Sequence, residues 1–366
     1  MDKYDVGIIG AGIAGSCLAI LLAQQGKKVV IFEKELYPKH KVCGEFISLE
    51  SYDFFKQIGL SLDDWNLPII KELELTSQKG ASFKRSLKIG GFGLSRAKLD
   101  FELTQLFNKY NITFYPNTKV DSVDGQSIYY NKEEVVADFI VGAHGKYSAS
   151  YTHQKRKLQK KNYVGVKYHI KGDFDPGLIS LHSFEGGYCG MSKIEDNQYC
   201  LCYLCESSQL KASNNNVQKL EENVLMKNLK LKSILESAEF LWDKPLIISN
   251  IRFDKELLFD NTMLFAGDAA GSISPLSGNG MSIAAKTALM LSEICRTQDD
   301  FSIICKEYDK AWNQLFGSKV ERAKTLNRIM LNPTTHHWVI RLFKLLPPIG
   351  SIVINSMQGK PFYVRK

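Results

Sequence analysis

An α/β fold is predicted for this 366-residue chain from three features. An apolar strand, a glycine-patterned turn and an apolar helix open it. A second strand–glycine turn–helix segment lies near residue 270. A long β-patterned stretch separates the two. Together they predict a discontinuous Rossmann-like nucleotide-binding domain, an inserted β-rich substrate domain and a C-terminal helical region.

The opening segment reads as a buried strand (Val6 to Ile9), glycines at G-x-G-x-x-G spacing (Gly10, Gly12, Gly15) and a helix to Gln25. Gly26 stands at the C-cap, and a second strand (Val29 to Phe32) ends on Glu33. Gly10 permits the tight turn, Gly12 lets backbone approach a pyrophosphate, and Gly15 lets helix and strand pack closely. The helix N-terminus offers free amides and a positive dipole end to phosphates. Glu33 is spaced to accept from a ribose 2′-hydroxyl, which favours FAD or NAD over a 2′-phosphorylated nucleotide.

Alternating apolar positions (Leu73, Leu75; Phe83, Leu87, Ile89) predict strands of another sheet, and Leu99, Leu103 and Phe107 predict a helix over 97–110. Strands are expected at Thr113–Tyr115, Val135–Val141, Tyr163–Ile170, Ile179–Phe184 and Tyr199–Leu204, and a helix over 216–240. Met263–Ala266 then forms a short strand before the second glycine-rich turn and a helix from Met281. The resulting division is 1–72, 93–160 and 256–325 for the nucleotide domain. Residues 73–92 and 161–255 form the substrate domain, and 326–366 a C-terminal cap.

In the second glycine segment, Gly267-Asp268-Ala269-Ala270-Gly271 follows an apolar strand, so Asp268 can accept from ribityl hydroxyls or cap a helix. Gly278 to Gly280 opens a helix whose amides can face the pyrimidine edge of a flavin and stabilise negative charge there.

Four segments resemble the FAD-dependent hydroxylases related to p-hydroxybenzoate hydroxylase, and especially their geranylgeranyl reductase and halogenase-like branch. They are the opening turn with Glu33, Lys39-His40-Lys41-Val42-Cys43-Gly44-Glu45, Gly142-Ala143-His144-Gly145-Lys146-Tyr147-Ser148, and Leu264 to Ala270 continuing through Pro275, Gly278 and Gly280. Gly93-Leu94-Ser95-Arg96 matches the element whose arginine lies against the cofactor. The resemblance covers about 1–300 and implies FAD as cofactor. It implies contacts from Ile13 and Ala14 in the first turn, and from Lys34 and Val120 on the adenosine side. Cys43, Gly44, Arg96, Gly145, Gly267, Asp268 and Met281 would lie along the flavin half.

Two departures bear on function. His144 stands where the superfamily has an aspartate associated with flavin and pyridine-nucleotide contacts, so NADH or NADPH as donor, or a separate electron donor, stays open. His144 also reads as a local structural histidine. In the reductase branch's Tyr-x-Trp-x-Phe-Pro element, only Tyr188 has a counterpart here. Trp65, Trp242, Trp312 and Trp338 are isolated, so the halogenase Trp-x-Trp-x-Ile-Pro element is missing.

The expected activity is therefore FAD-dependent hydroxylation of an apolar aromatic or polyene molecule. The alternatives are C=C reduction, with Cys43 or Tyr188 as proton donor, and a non-catalytic flavin-binding module. Cys200, Cys202 and Cys205 alternate as in a strand and read as buried thiols, and no metal is expected. Eight irregularly spaced cysteines and a charged N-terminus running straight into the first strand predict a reducing, cytoplasmic setting. The charge of +8 comes with lysine clusters at 154–161 and 226–232, read as solvated faces, with an anionic membrane surface or acidic partner as alternatives. They lack interleaved aromatics, so nucleic acid is not expected as a partner. Residues 337–354 are apolar but broken by Pro347 and Pro348. They read first as a cap over the substrate cavity, second as an interfacial helix collecting a lipophilic substrate.

Overall fold

A computed structural model describes residues 3–146, 162–251, 257–260, 263–271 and 280–364, with backbone alone at 318–324, 326–328 and 357. The expected lysine cluster at 154–161 lies outside these residues, as do Pro275 and Gly278.

Strand β1 (Lys3–Ile9), helix α1 (Ile13–Gln24) and strand β2 (Val29–Phe32) form the expected βαβ unit, with Val6 opposite Val29 and Ile9 opposite Phe32. Every residue of β2 and nearly all of α1 are buried, because β1 and β2 are central parallel strands covered on both faces. Two strands of the second sheet, β3 (Phe46–Ser48) and, after the short helix α2 (Tyr52–Gln57), β4 (Ile69–Thr76), come next. The long β5 (Ser82–Gly93) leads into α3 (Arg96–Lys109), whose Ser95 caps the amide of Lys98.

The first sheet is completed by β6 (Thr113–Tyr115), a small antiparallel flap β7 (Ser122–Asp124) and β8 (Ser127–Tyr130), and β9 (Glu133–Gly142). Its strand order is β6-β2-β1-β9-β8-β7. The late strand β16 (Met263–Phe265) adds parallel to the far end of β9, with Met263 opposite Ile140.

The second sheet is built mainly by β10 (Tyr163–Lys171), β11 (Leu178–Phe184), β12 (Gly187–Lys193) and β13 (Tyr199–Glu206). Its order is β14-β10-β13-β12-β11-β4-β5-β3, where β14 is Glu239–Phe240 and β15 (Leu246–Ile251) also pairs β10. Between β13 and β14 the expected helix over 216–240 is instead broken. After α4 (Ser207–Ala212), α5 (Val217–Asn223) and α6 (Leu229–Ser237) are separated at Asn228, whose side chain caps α6 at Lys230 and Leu231. These helices cover one face of the sheet through Val166, Tyr168, Leu201, Tyr203 and Leu231. Lys227, Lys230 and Lys232 point to solvent from this region.

Helix α7 (Gly280–Thr297) packs on α1 and is followed by the 31-residue α8 (Phe301–Leu331). Two short helices, α9 (Pro333–Leu345) and α10 (Pro347–Met357), close the chain against the face of the second sheet formed by β11, β4 and β5.

Candidate functional site

The turn after β1 is shaped by backbone alone. Gly10 has φ +108°, and a Cβ at Gly15 would collide with the Gly10 carbonyl oxygen. Gly12 occupies the N-cap of α1 without a side-chain acceptor, so the first-turn amides, among them those of Ile13 and Ala14, are left for an anion. Glu33 is buried at the end of β2. Its carboxylate accepts the amides of Ala11 (3.0 Å) and Glu35 (3.2 Å), while the Tyr37 hydroxyl donates to the Ala11 carbonyl (2.6 Å). Lys34 beside it is exposed. Thr118 and Asn117 donate to the carbonyls of Glu33 and Glu35, which lays the segment carrying the buried Val120 along this strand end.

Two cations flank Gly12. Arg96 grips Asp100 through Nε (2.9 Å) and Nη2 (2.7 Å), one helical turn away, and Lys41 reaches the same carboxylate at 2.9 Å. A Cβ on Gly12 would lie 3.7 Å from Arg96 Nη2 and 3.8 Å from Lys41 Nζ. Burial pushes the Asp100 carboxyl up, but the two cations outweigh it and hold it below its usual range. Asp100 neutralises one of them. The Tyr37 hydroxyl links the second, Lys41 (3.4 Å), to the Glu33 carboxylate (3.3 Å), so both cations stay beside the turn.

The second glycine segment meets the first. Gly267, at φ +63°, sits so close to α1 that a Cβ there would lie 2.8 Å from Ala14 Cβ. Asp268 lies in a single helical turn, 39% exposed in its side chain and 4.0 Å from Lys146 Nζ. That contact joins the 142–146 element to it, with Gly145 at φ +78° in open space. His144 packs edge-on to Phe265, ring centres 6.0 Å apart. Met281, in the first turn of α7, places its sulfur 3.9 Å from Cys43 Sγ, and neighbouring Gly44 faces open space.

Beyond Cys43 the chain docks onto the second sheet. Glu45, fully buried at φ +54°, accepts from Lys167 Nζ (2.5 Å) and the Arg96 amide (2.7 Å), and bonds His169 Nε2 at 2.6 Å. Burial pushes its carboxyl up, yet Lys167 and His169 more than offset this and hold it low. The rings of His40, His169 and Trp242 meet one another edge-on or tilted, centres 4.5–5.0 Å apart, outside this pair and line a polar cleft of about 390 Å³ with Ser95, Lys98 and Glu195. His40, Glu45 and His169 cluster as metal ligands do, but Lys167, His169 and the Arg96 amide already occupy the carboxylate. The cleft carries the rim of an ion pair; the glycine cradle lies at the Gly12 turn.

The face of β10, β12 and β13 that bears Lys167, Tyr188, Cys200, Cys202 and Leu204 turns toward this segment, with Cys200 Sγ donating to the Cys43 carbonyl (3.2 Å). Cys205 alternates to the opposite face, among the helices. Tyr188 packs with Tyr163, Leu204, Ile251 and Met330, and its buried hydroxyl has no hydrogen-bond partner among the described residues. Burial, with Cys202 and Cys189 adding, pushes that phenol well up, so it stays protonated. Sequence reasoning assigned no role to Lys41, Asp100, Lys167 or His169. The four-residue spacing of Arg96 and Asp100 was the one signal available.

A family model described as an NAD(P)-binding Rossmann-like domain matches residues 8–38. Among solved structures, the flavin-dependent brominase Bmp2 superposes with a TM-score of 0.80 at 18% identity, covering 99% of this chain and 94% of its own. A geranylgeranyl bacteriochlorophyll reductase-like protein of Thermoplasma acidophilum gives 0.77 at 17% identity, covering 99% and 97%. The fold is that of the flavin-dependent halogenases and geranylgeranyl reductase-like proteins. Conditioned medium factor receptor 1 of Dictyostelium discoideum is similar in sequence, 25% identical over 363 residues, which span 88% of this chain and 70% of the receptor.

Proposed function

We propose that the chain is an FAD-dependent oxidoreductase that hydroxylates an apolar aromatic or polyene molecule. The observation that carries this reading is the meeting of two glycine turns more than 250 residues apart, Gly267 against Ala14, beside the two cations that flank Gly12. That cradle fits a dinucleotide diphosphate. The α1 amides and the Arg96–Lys41 pair hold the phosphates, Glu33 and the Val120 segment receive the adenosine ribose, and Asp268 accepts from the ribityl chain. Bound there, FAD supplies two-electron redox chemistry and the activation of dioxygen.

The residues around its reactive end have to position an apolar molecule and exclude water. Cys43, Met281, Gly190, Cys202 and Leu204 provide apolar or small surfaces on this side of the sheet, and Met330 of α8 closes over Tyr188. Lys167 and His169 on the same face are committed to Glu45 and carry no spare base. This suits oxygen transfer, which needs a dry site more than an acid–base pair.

C=C reduction is the second reading, favoured by the unpartnered Tyr188 hydroxyl, an acid kept protonated by burial. NADH or NADPH would deliver the electrons in either reading, unless a separate donor does. The test is anaerobic reduction of the FAD-loaded protein by each nicotinamide, then admission of oxygen. Fast reoxidation with peroxide release supports the oxygenase; slow reoxidation, abolished product in Tyr188→Phe and normal flavin binding support the reductase. A protein that refuses FAD sinks both.

A further inference from the structure

The outer face of α9 and α10 breaks the rule that surface helices obey. On α9, His336, Ile340 and Phe343 face inward, and Ile340 and Phe343 pack with Leu73, Leu75 and Phe83 of the second sheet. The opposite side of the same helix should be polar. Instead it carries Trp338 (59% exposed), Leu342 and Leu345 (74% exposed), spaced one and two turns apart. The chain then turns by 116° through Leu346, Pro347 and Pro348, all exposed, into α10, where Ile349 and Ile352 (69% exposed) continue the apolar surface. Six exposed large apolar side chains between Trp338 and Ile352 mark a surface that meets something.

Charge says what. The last 45 residues, 322–366, contain eight Lys and Arg and no Asp or Glu, while the other 321 residues hold thirty-nine of each sign. The entire net charge of +8 thus belongs to the stretch of chain that contains these residues. Arg341 and Lys344 rise from α9 between the apolar residues, both exposed, with the Arg341 guanidinium 5.1 Å from the centre of the Trp338 ring. Tyr363 lies exposed nearby in sequence. Apolar anchors, an interfacial tryptophan and a one-sided basic border match an anionic lipid surface.

Neither helix can span a bilayer. They are 13 and 11 residues long, against about 20 needed to cross, and the bend breaks their continuity. We propose that α9 and α10 form a monotopic docking element that lies in the headgroup region of an anionic membrane. The inner side of α9 closes the second sheet while its outer side faces lipid, so one short helix joins the substrate-domain sheet to the bilayer surface.

The experiment is co-sedimentation of the full chain with vesicles of phosphatidylcholine alone or with about one-third phosphatidylglycerol, at low and high salt. Selective pelleting with the anionic vesicles, reversed by salt, is expected. Arg341→Gln with Lys344→Gln should weaken it about thirty-fold, the combined effect of two surface cations. Leu342→Ser, Leu345→Ser and Ile352→Ser together should abolish it without changing the thermal midpoint, since all three are exposed. A blue shift of tryptophan emission on lipid addition, lost in Trp338→Phe, gives a second readout. The proposal is overturned if anionic vesicles leave the protein in the supernatant or if the triple variant pellets like the parent. Concentration-dependent dimerisation lost in that variant, without lipid binding, would also overturn it and give the patch to a second copy of the chain. None of these readouts depends on flavin or turnover.

Discussion

Two buried ionic clusters lie 51 residues apart in sequence at their junction, where the Arg96 amide meets Glu45, and they are built on opposite arithmetic. At Asp100 one carboxylate faces two permanent cations, Arg96 and Lys41, beside a turn lined by bare amides. At Glu45 one carboxylate faces Lys167 and a histidine, with backbone supplying the remaining bonds. The first cluster borders unpaired helix amides; the second is closed. Cations that border bare amides suit an anionic ligand, whereas a matched pair with no solvent access belongs to assembly. Glu45 joins the 41–45 segment to β10 and so fixes the second sheet against the first.

The largest test of this contrast is Gly12→Val. Its Cβ would meet only the ends of two flexible side chains at 3.7 and 3.8 Å, so the fold should survive while the diphosphate loses its place. FAD affinity is expected to fall on the order of a hundred-fold or more, with unchanged circular dichroism. An undiminished flavin titration would show that the Gly12 turn serves something else.

Lys167→Met should act on the closed cluster. It leaves Glu45 buried against a histidine alone and should cost about 3–5 kcal/mol in denaturant unfolding. Pairing it with Glu45→Gln should restore part of the loss. An additive double mutant would break the idea that the two residues form one unit.

Arg96→Gln should separate the clusters. Lys41 remains to balance Asp100, so stability changes modestly, but one of the two cations flanking Gly12 is gone and FAD binding should weaken by about 1.5–3 kcal/mol, read by fluorescence titration. If stability drops as far as in Lys167→Met, Arg96 is structural.

The smallest effect is on pH. Glu45 and Asp100 both have carboxyls held below their ordinary values in the fold. Their stabilisation is complete above the unfolded carboxylate pKa and is lost as pH falls through the lowered folded values. Glu45→Gln should therefore flatten the acid limb of the unfolding midpoint as pH falls below the ordinary glutamate value of about 4.3. An unaltered limb would mean that Glu45 does not titrate with unfolding.

The two regions also differ in how much a reader of the sequence could see. Gly10, Gly12, Gly15 and Glu33 announce themselves, because the turn is made by backbone within about thirty residues and its steric demands select residue types directly. The strand positions of β10, β11 and β13 follow from alternation, which the sheet imposes on each strand by itself. The break between α5 and α6 was hidden, since Asn228 caps a helix using the same leucine spacing that a continuous helix would show.

Local order in this chain was thus written by residue type and period: the βαβ unit, the second glycine turn, the alternating strands, and the one-sided charge of the last 45 residues. Tertiary structure alone brought Gly267 to Ala14, Lys41 to Asp100, Glu45 to Lys167, and the apolar side of α9 to the outside. The physical reason is range. A turn or a period is enforced by neighbours along the chain, but an ion pair 122 residues apart is fixed only when two sheets have already met and excluded water from between them.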